Sequence, residues 1–285
     1  MSVSAISGPG GRGDAHPPSV ADRPEGGTPK VSFAGVQKSY GMRGKTGGTL
    51  ALAEFNLDIA PGEILSIVGP TGCGKSTVLN VLAGFEQPSG GRVEVNGHPV
   101  TGPGPDRGVV FQQAALFPWL TTMANIVLGV KCRGVPPAQY EPRARRLIEK
   151  VGLKGFERHY PYQLSGGMQQ RVQIARALIN EPDILLMDEP FGALDYQTRL
   201  LMQKLLLQLW EQFRPTILFV THDVGEAIFI SDRIIAMSRR PGRVIRDVRV
   251  HAPKPRDYEF LVSDEFKSLE RELLLAVQGE VGEHS

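Results

Sequence analysis

The sequence is short of the features that would place it outside a cell or inside a membrane. It has only two cysteines, Cys73 and Cys132, in 285 residues. Cys73 lies in a glycine-rich stretch that a crosslink would obstruct, which argues against a disulfide framework and for a reducing compartment. No apolar run approaches the roughly 18 residues a membrane-crossing helix needs. The N-terminus lacks the charged-then-apolar layout of a secretory signal. There is little charge excess: the formal net charge is +2, too mild to argue for a nucleic-acid partner. With 41% hydrophobic and 22% charged residues, the composition is that of an ordinary globular chain, expected to be soluble and cytoplasmic.

Glycine and proline are plentiful, at 33 and 22 residues, and much of the excess lies near the N-terminus. Residues 1–29 hold few large apolar groups and are expected to form a disordered tail. From Val31 the pattern changes. Val31-Ser32-Phe33 and Leu57-Asp58-Ile59 alternate as half-buried strands do, with a glycine-rich loop from Gly41 to Gly48 between them. Asn96-Gly97 is a hairpin turn signal. Leu147, Ile148 and Val151 mark a helix over 138–153, and Ser165 caps another that reaches Asn180. Ile184–Met187 and Thr216–Val220 are near-continuous apolar strands, with a helix over 197–213 between them. Such runs belong to a parallel sheet covered on both faces. Arg233–Met237 and Val244-Ile245 suggest edge strands. A proline-containing linker follows over 251–256, then a helix whose apolar face is Phe266, Leu269, Leu273 and Val277.

Three motifs carry chemistry. Gly69-Pro70-Thr71-Gly72-Cys73-Gly74-Lys75-Ser76-Thr77 fits G-x-x-x-x-G-K-[ST] between the strand Ile64–Val68 and a helix closed by Gly84. In that context glycine N–H groups and a helix N-terminus cradle phosphate, Lys75 reaches the β- and γ-phosphates, and Ser76 sits on Mg²⁺. Asp188-Glu189 ends an apolar strand where α/β sheets bind ligands. Asp188 suits Mg²⁺, and Glu189 suits a general base that polarises water. Leu164-Ser165-Gly166-Gly167-Met168-Gln169-Gln170-Arg171 opens a helix with two glycines, which weakens it unless the backbone must approach a phosphate closely.

This last stretch resembles the signature motif of the ATP-binding cassette family, and the other family marks stand in the expected order from Val31 to Val244. By that resemblance Tyr40 stacks on adenine, although it also fits a core or turn aromatic. Gln112 links Mg²⁺ to the transporter contact, and Gly192-Ala193-Leu194-Asp195 addresses the opposite subunit. His222 is the switch histidine near the γ-phosphate. Cys73 offers only its backbone, and Cys132 is structural. The implied fold is an α/β P-loop NTPase with a RecA-like core, an antiparallel β subdomain and an inserted α-helical subdomain. The ATPase domain would span 31–250 with the helical part about 113–166, and 251–285 would be linker and amphipathic helix. Two copies would sandwich ATP, each adding Ser165, Gly166, Gly167, Gln169 and Asp195 to the other's site.

Pro105–Gln112, Leu116–Leu120 and Arg240-Pro241-Gly242-Arg243 resemble the importer subfamily for nitrate, aliphatic sulfonates and taurine. The resemblance implies transmembrane permease subunits that dock at Phe117, Pro118 and Trp119, with a substrate-binding protein as indirect partner. It places the chain peripherally on the cytoplasmic face of the inner membrane. Phe117 also fits the core of the helical subdomain. Three alternatives stay open: an importer for another small solute, a soluble cassette ATPase of an assembly or repair complex, and a P-loop kinase, which would leave Leu164–Arg171 unexplained.

Overall fold

The computed structural model describes residues 27–41 and 48–282, with side chains up to residue 279. The expected tail up to residue 26 and the interior of the Gly41–Gly48 loop lie outside the described residues. Strands Val31–Tyr40 (β1) and Thr49–Ile59 (β2) pair antiparallel, Val31 opposite Ile59 and Tyr40 opposite Thr49. The buried strand Ile64–Val68 (β3) leads through the glycine loop into helix Lys75–Ala83 (α1), which Gly84 closes at φ 78°. Gly90–Val95 (β4) and His98–Pro99 (β5) form the hairpin. Its turn residues Asn96 and Gly97 take φ 53° and 76°, as a two-residue turn of the favoured hand requires.

Arg107–Val110 (β6) precedes three helices, Thr122–Cys132 (α2), Pro137–Lys150 (α3) and Gly166–Leu178 (α4). Strand and helix then alternate: Ile184–Asp188 (β7), Tyr196–Phe213 (α5), Thr216–Val220 (β8), Val224–Ile230 (α6) and Arg233–Met237 (β9). Val244–Arg249 (β10), Tyr258–Leu261 (α7) and Asp264–Gly282 (α8) complete the described chain.

Two sheets result. One is antiparallel in the order β2-β1-β4-β5; the other runs β10-β9-β3-β8-β7-β6. In the second, β9, β3, β8, β7 and β6 are parallel and β10 is antiparallel to β9. Alternation of side chains across the sheet divides the core. Leu185, Met187, Ile217 and Phe219 face α2–α5, whereas Ile184, Leu186, Leu218 and Val220 face α1 and the antiparallel sheet.

Several sequence expectations need correction. β9 is interior, because β10 folds back beside it, so of these two strands β10 alone lies at an edge. α3 ends at Lys150, where Gly152 turns at φ 70° and carries Leu153 into the core. Residues 251–256 are a pinned strap: Arg256 is buried and donates to the carbonyls of Ile228, Phe229 and Ser231 at the end of α6. Cys132 is exposed at the end of α2, and both cysteines are free.

Candidate nucleotide site

Parallel neighbours end together, so the order β3-β8-β7-β6 brings four loops to one sheet edge. β3 delivers the glycine loop, β8 delivers His222, β7 delivers Asp188 and Glu189, and β6 delivers Gln112. These residues lie far apart in sequence, and it is pairing register that collects them. Gly74 is left-handed at φ 111°, and a Cβ there would sit 2.9 Å from Leu52 Cδ2 and 3.0 Å from the Ala51 carbonyl oxygen, so only glycine fits. The loop thereby packs directly on β2.

Lys75 is buried, and its Nζ donates to the carbonyls of Gly69 and Pro70 at 2.8 and 3.2 Å. Those bonds offset the desolvation of the ammonium and hold it at the loop. Pro70 is half-buried, Thr71, Gly72 and Ser76 are exposed, and Thr77 is buried. Ser76 Oγ donates to Asp188 Oδ1 at 3.3 Å. Burial pushes the Asp188 carboxyl up, the Ser76 hydrogen bond opposing it. Burial likewise raises the Cys73 thiol, with Lys75 opposing, so this cysteine is kept as an unreactive thiol.

His222 Nδ1 lies 3.0 Å from Glu189 Oε2, and Gln112 is adjacent. A Cβ on Gly192 would be 3.6 Å from Gln112 Nε2 and 3.8 Å from Glu189 Oε2. The set Ser76, Asp188 and Gln112 offers oxygen donors from a hydroxyl, a carboxylate and an amide. That chemistry fits Mg²⁺, which completes its shell with water and phosphate oxygens. Among the described residues no group of three or more His, Cys, Asp or Glu forms a closed metal cage. Tyr40 is brought to the same α1: its hydroxyl donates to Glu86 at 2.5 Å and lies 3.3 Å from Thr77 Oγ1.

A family model for ABC transporters matches residues 52–192. The chain is 48% identical over 249 residues to a putative ATP-binding protein of Brucella abortus, covering 87% of this chain and 94% of that one. The chain belongs to the ABC transporter family. It is 48% identical over 200 residues to the taurine import ATP-binding protein TauB of Roseobacter denitrificans, covering 70% of this chain and 75% of that one. Among solved structures it is similar to the dimeric ATP-binding cassette MJ0796 bound to ADP and Pi. The match has TM-score 0.67 and 36% identity, covering 78% of this chain and all of the other. The fold is thus that of the P-loop cassette ATPases, and the chain is an ABC ATPase.

Among the described residues the signature segment of this ABC ATPase is hydrogen-bonded within its own neighbourhood and not to its own glycine loop. Ser165 caps α4 by accepting from Met168 N–H at 3.3 Å. Gln169 Nε2 donates to the carbonyls of Pro161 and Leu164. Gly166 faces open space, whereas a Cβ on Gly167 would meet Thr198 Cγ2 at 2.8 Å. The two glycines therefore have different reasons. Asp195 is exposed and caps α5, accepting from Thr198 N–H at 3.0 Å, and hydrogen bonding from the Thr198 side chain, then from its N–H, holds its carboxyl below the usual range.

Phe117, Pro118 and Trp119 are all exposed, Trp119 to 69%, with the two rings 5.5 Å apart. Buried Asn125 fixes this loop by bonding the Phe117 N–H and the carbonyls of Phe117 and Leu120. Core placement of Phe117 is therefore set aside. The sequence reading assigned no task to Asn125 or to Gln170, whose Nε2 donates to the Phe111 carbonyl beside Gln112 at 3.2 Å. Both are buried amides, and their signal was a polar residue at a core position of a helix.

Proposed function

We propose that this ABC ATPase energises an importer for taurine or a related small solute, an aliphatic sulfonate or nitrate. Its 48% identity to a protein named as a taurine import ATP-binding subunit carries this reading. The exposed Phe117–Trp119 cluster supports it as a permease contact. The chain would lie peripherally at the cytoplasmic face of the inner membrane, bound to transmembrane permease subunits that a substrate-binding protein supplies. Residues 31–250 would be the ATPase domain, with the helical part at about 113–166.

Two copies would face head to tail; a similar cassette, MJ0796, is itself dimeric. The glycine loop of one subunit would hold ATP against the exposed Ser165–Gly166 end of α4 in the other, with Asp195 at the seam. Tyr40 would take the adenine. Mg²⁺, held by Ser76 and Asp188 with Gln112 beside them, would supply charge neutralisation of the phosphates. Lys75 would exchange its carbonyl partners for phosphate oxygens. Glu189 would accept a proton from water, while His222 orients its carboxylate through the 3.0 Å contact. Positioning and charge carry the reaction, since phosphoryl transfer asks little covalent help of protein.

The test is purification from detergent-solubilised membranes, followed by growth of a deletion strain on single sulfur or nitrogen sources. A stable complex with a polytopic permease, and lost growth on taurine alone, is the expected outcome. Recovery with soluble assembly factors and unchanged growth on each source would refute import.

A further inference from the structure

Behind His222 lies a buried carboxyl for which the mechanism above has no use. Glu226, on α6, is 5% exposed amid Val224, Ala227, Ile228, Phe229 and Ile230. A lone carboxyl in such surroundings is costly unless its hydrogen bonds are made. They are made, and they converge on the histidine's neighbours. Glu226 Oε2 accepts from Thr221 Oγ1 at 2.5 Å, and Oε1 accepts from Gln203 Nε2 of α5 at 3.3 Å. The Thr221 hydroxyl in turn accepts from Asp223 N–H at 3.1 Å. Asp223 Oδ1 accepts from the Glu226 N–H at 3.0 Å. Asp223 Oδ2 meets Arg199 Nη1 at 3.3 Å, and Arg199 Nη2 donates to the Leu194 carbonyl at 3.0 Å. The residues on both sides of His222 thus hang from Glu226, and through Arg199 they are tied to the Gly192–Asp195 loop.

We propose that Glu226 is a positioning residue for His222: its carboxyl fixes the Thr221 hydroxyl, which in turn holds the Asp223 N–H, so that the imidazole meets Glu189. The inference rests on the reading of Glu189 and His222 as the hydrolytic pair. The ring contact at 3.0 Å depends on the backbone that carries it, and small displacements of a catalytic group cost rate steeply. The network also leaves room for a second arrangement. Gln203 Oε1 is buried and unpartnered, so a protonated Glu226 has an acceptor waiting once that amide rotates. In that arrangement the proton turns the carboxyl toward α5 and weakens its hold on Thr221.

Burial pushes the Glu226 carboxyl up to about 7, with Asp223 adding to it and Thr221, Gln203 and Arg199 opposing. Other charged or titratable groups on this segment are His222 itself, Glu270 of α8, whose Oε1 would lie 3.6 Å from a Cβ on Gly225, and Arg256, which donates to the carbonyl end of α6. The hold should therefore strengthen as pH rises through neutrality.

The test measures ATPase kcat and KM from pH 5.5 to 8.5, with equilibrium ATP titration, for wild type, Glu226→Gln, Thr221→Val and Thr221→Ser. Glu226→Gln and Thr221→Val should each lose about tenfold in kcat while ATP affinity stays within about twofold. Thr221→Ser, which keeps the hydroxyl, should restore the rate. The wild-type fall in activity on the acid side of about pH 7 should be absent from Glu226→Gln. Wild-type kcat with an unchanged profile in Glu226→Gln would overturn the proposal. So would a loss of ATP affinity equal to the loss of rate. Where Glu226→Gln does not accumulate as folded protein, the Thr221 pair decides. His222→Ala serves as a control: a wild-type rate there would sink the hydrolytic reading itself, a failure distinct from that of Glu226.

Discussion

Glu189 adopts φ 44°, a left-handed backbone that costs a non-glycine residue roughly 1–3 kcal/mol. Its N–H donates to the Val220 carbonyl at 2.8 Å, so β8, the strand that carries His222, also fixes the strained turn. Glu189→Gln preserves that shape and removes the base. It should keep ATP binding in an equilibrium titration and lose at least about 100-fold in steady-state ATPase; wild-type turnover in this variant would refute the assignment. Lys75→Ala, by contrast, should weaken nucleotide binding itself, read in the same titration. Glu226 makes a stability prediction. Its folded pKa is raised to about 7, so its contribution to stability is fully present below its unfolded value and is lost as pH rises toward 7. The melting temperature of Glu226→Gln relative to wild type should therefore climb between pH 5 and 8; a constant difference would contradict the raised value.

At the scale of elements, what matters is which backbones touch. The turn between β9 and β10 lies against the glycine loop: a Cβ on Gly242 would be 2.2 Å from the Cys73 carbonyl oxygen, and Arg240 Nε donates to the Gly72 carbonyl at 3.3 Å. Gly242 is also bonded to Ala51 and Ala53 of β2. Gly242→Ala should therefore displace the loop and weaken ATP binding at least about tenfold, with other secondary structure kept by circular dichroism. The paired signature glycines separate packing from contact. Gly167→Ala drives a methyl into Thr198 and should lower the melting temperature by several degrees, roughly 1–3 kcal/mol. Gly166→Ala meets open space and should melt near wild type, yet weaken ATP-dependent dimerisation by light scattering. The glycine pair, the Asn-Gly turn and the Ser165 cap were legible because backbone geometry leaves few residue choices. The identity of Gly167's neighbour was not, since Thr198 lies on another helix.

For the whole molecule, the described C-terminal segment acts as a brace. Arg256 satisfies the carbonyl end of α6, while Lys254 pairs with Asp232 at 2.8 Å and lies over the Trp210 ring at 4.1 Å. Phe266 and Leu273 of α8 close a core with Val224 and Ile228 of α6. Removing residues 251–285 should expose that core and lower the melting temperature, and cost ATPase activity through His222, whose loop leads into α6. A truncated chain with wild-type melting and rate would contradict this. Sequence by itself determined the glycine loop, the Asp188-Glu189 strand end, the signature cap and the alternation of buried strands, because each is set by local backbone geometry and side-chain period. Only tertiary structure decided that β9 is interior, that 251–256 is a strap rather than a free linker, and that a buried carboxyl stands behind His222. Those depend on strand order and on tertiary partners, such as Ile228 for Arg256 and Gln203 for Glu226, which no local pattern encodes. The glycine loop is thus written in nine consecutive residues, but the site that surrounds it exists only where four strands end together.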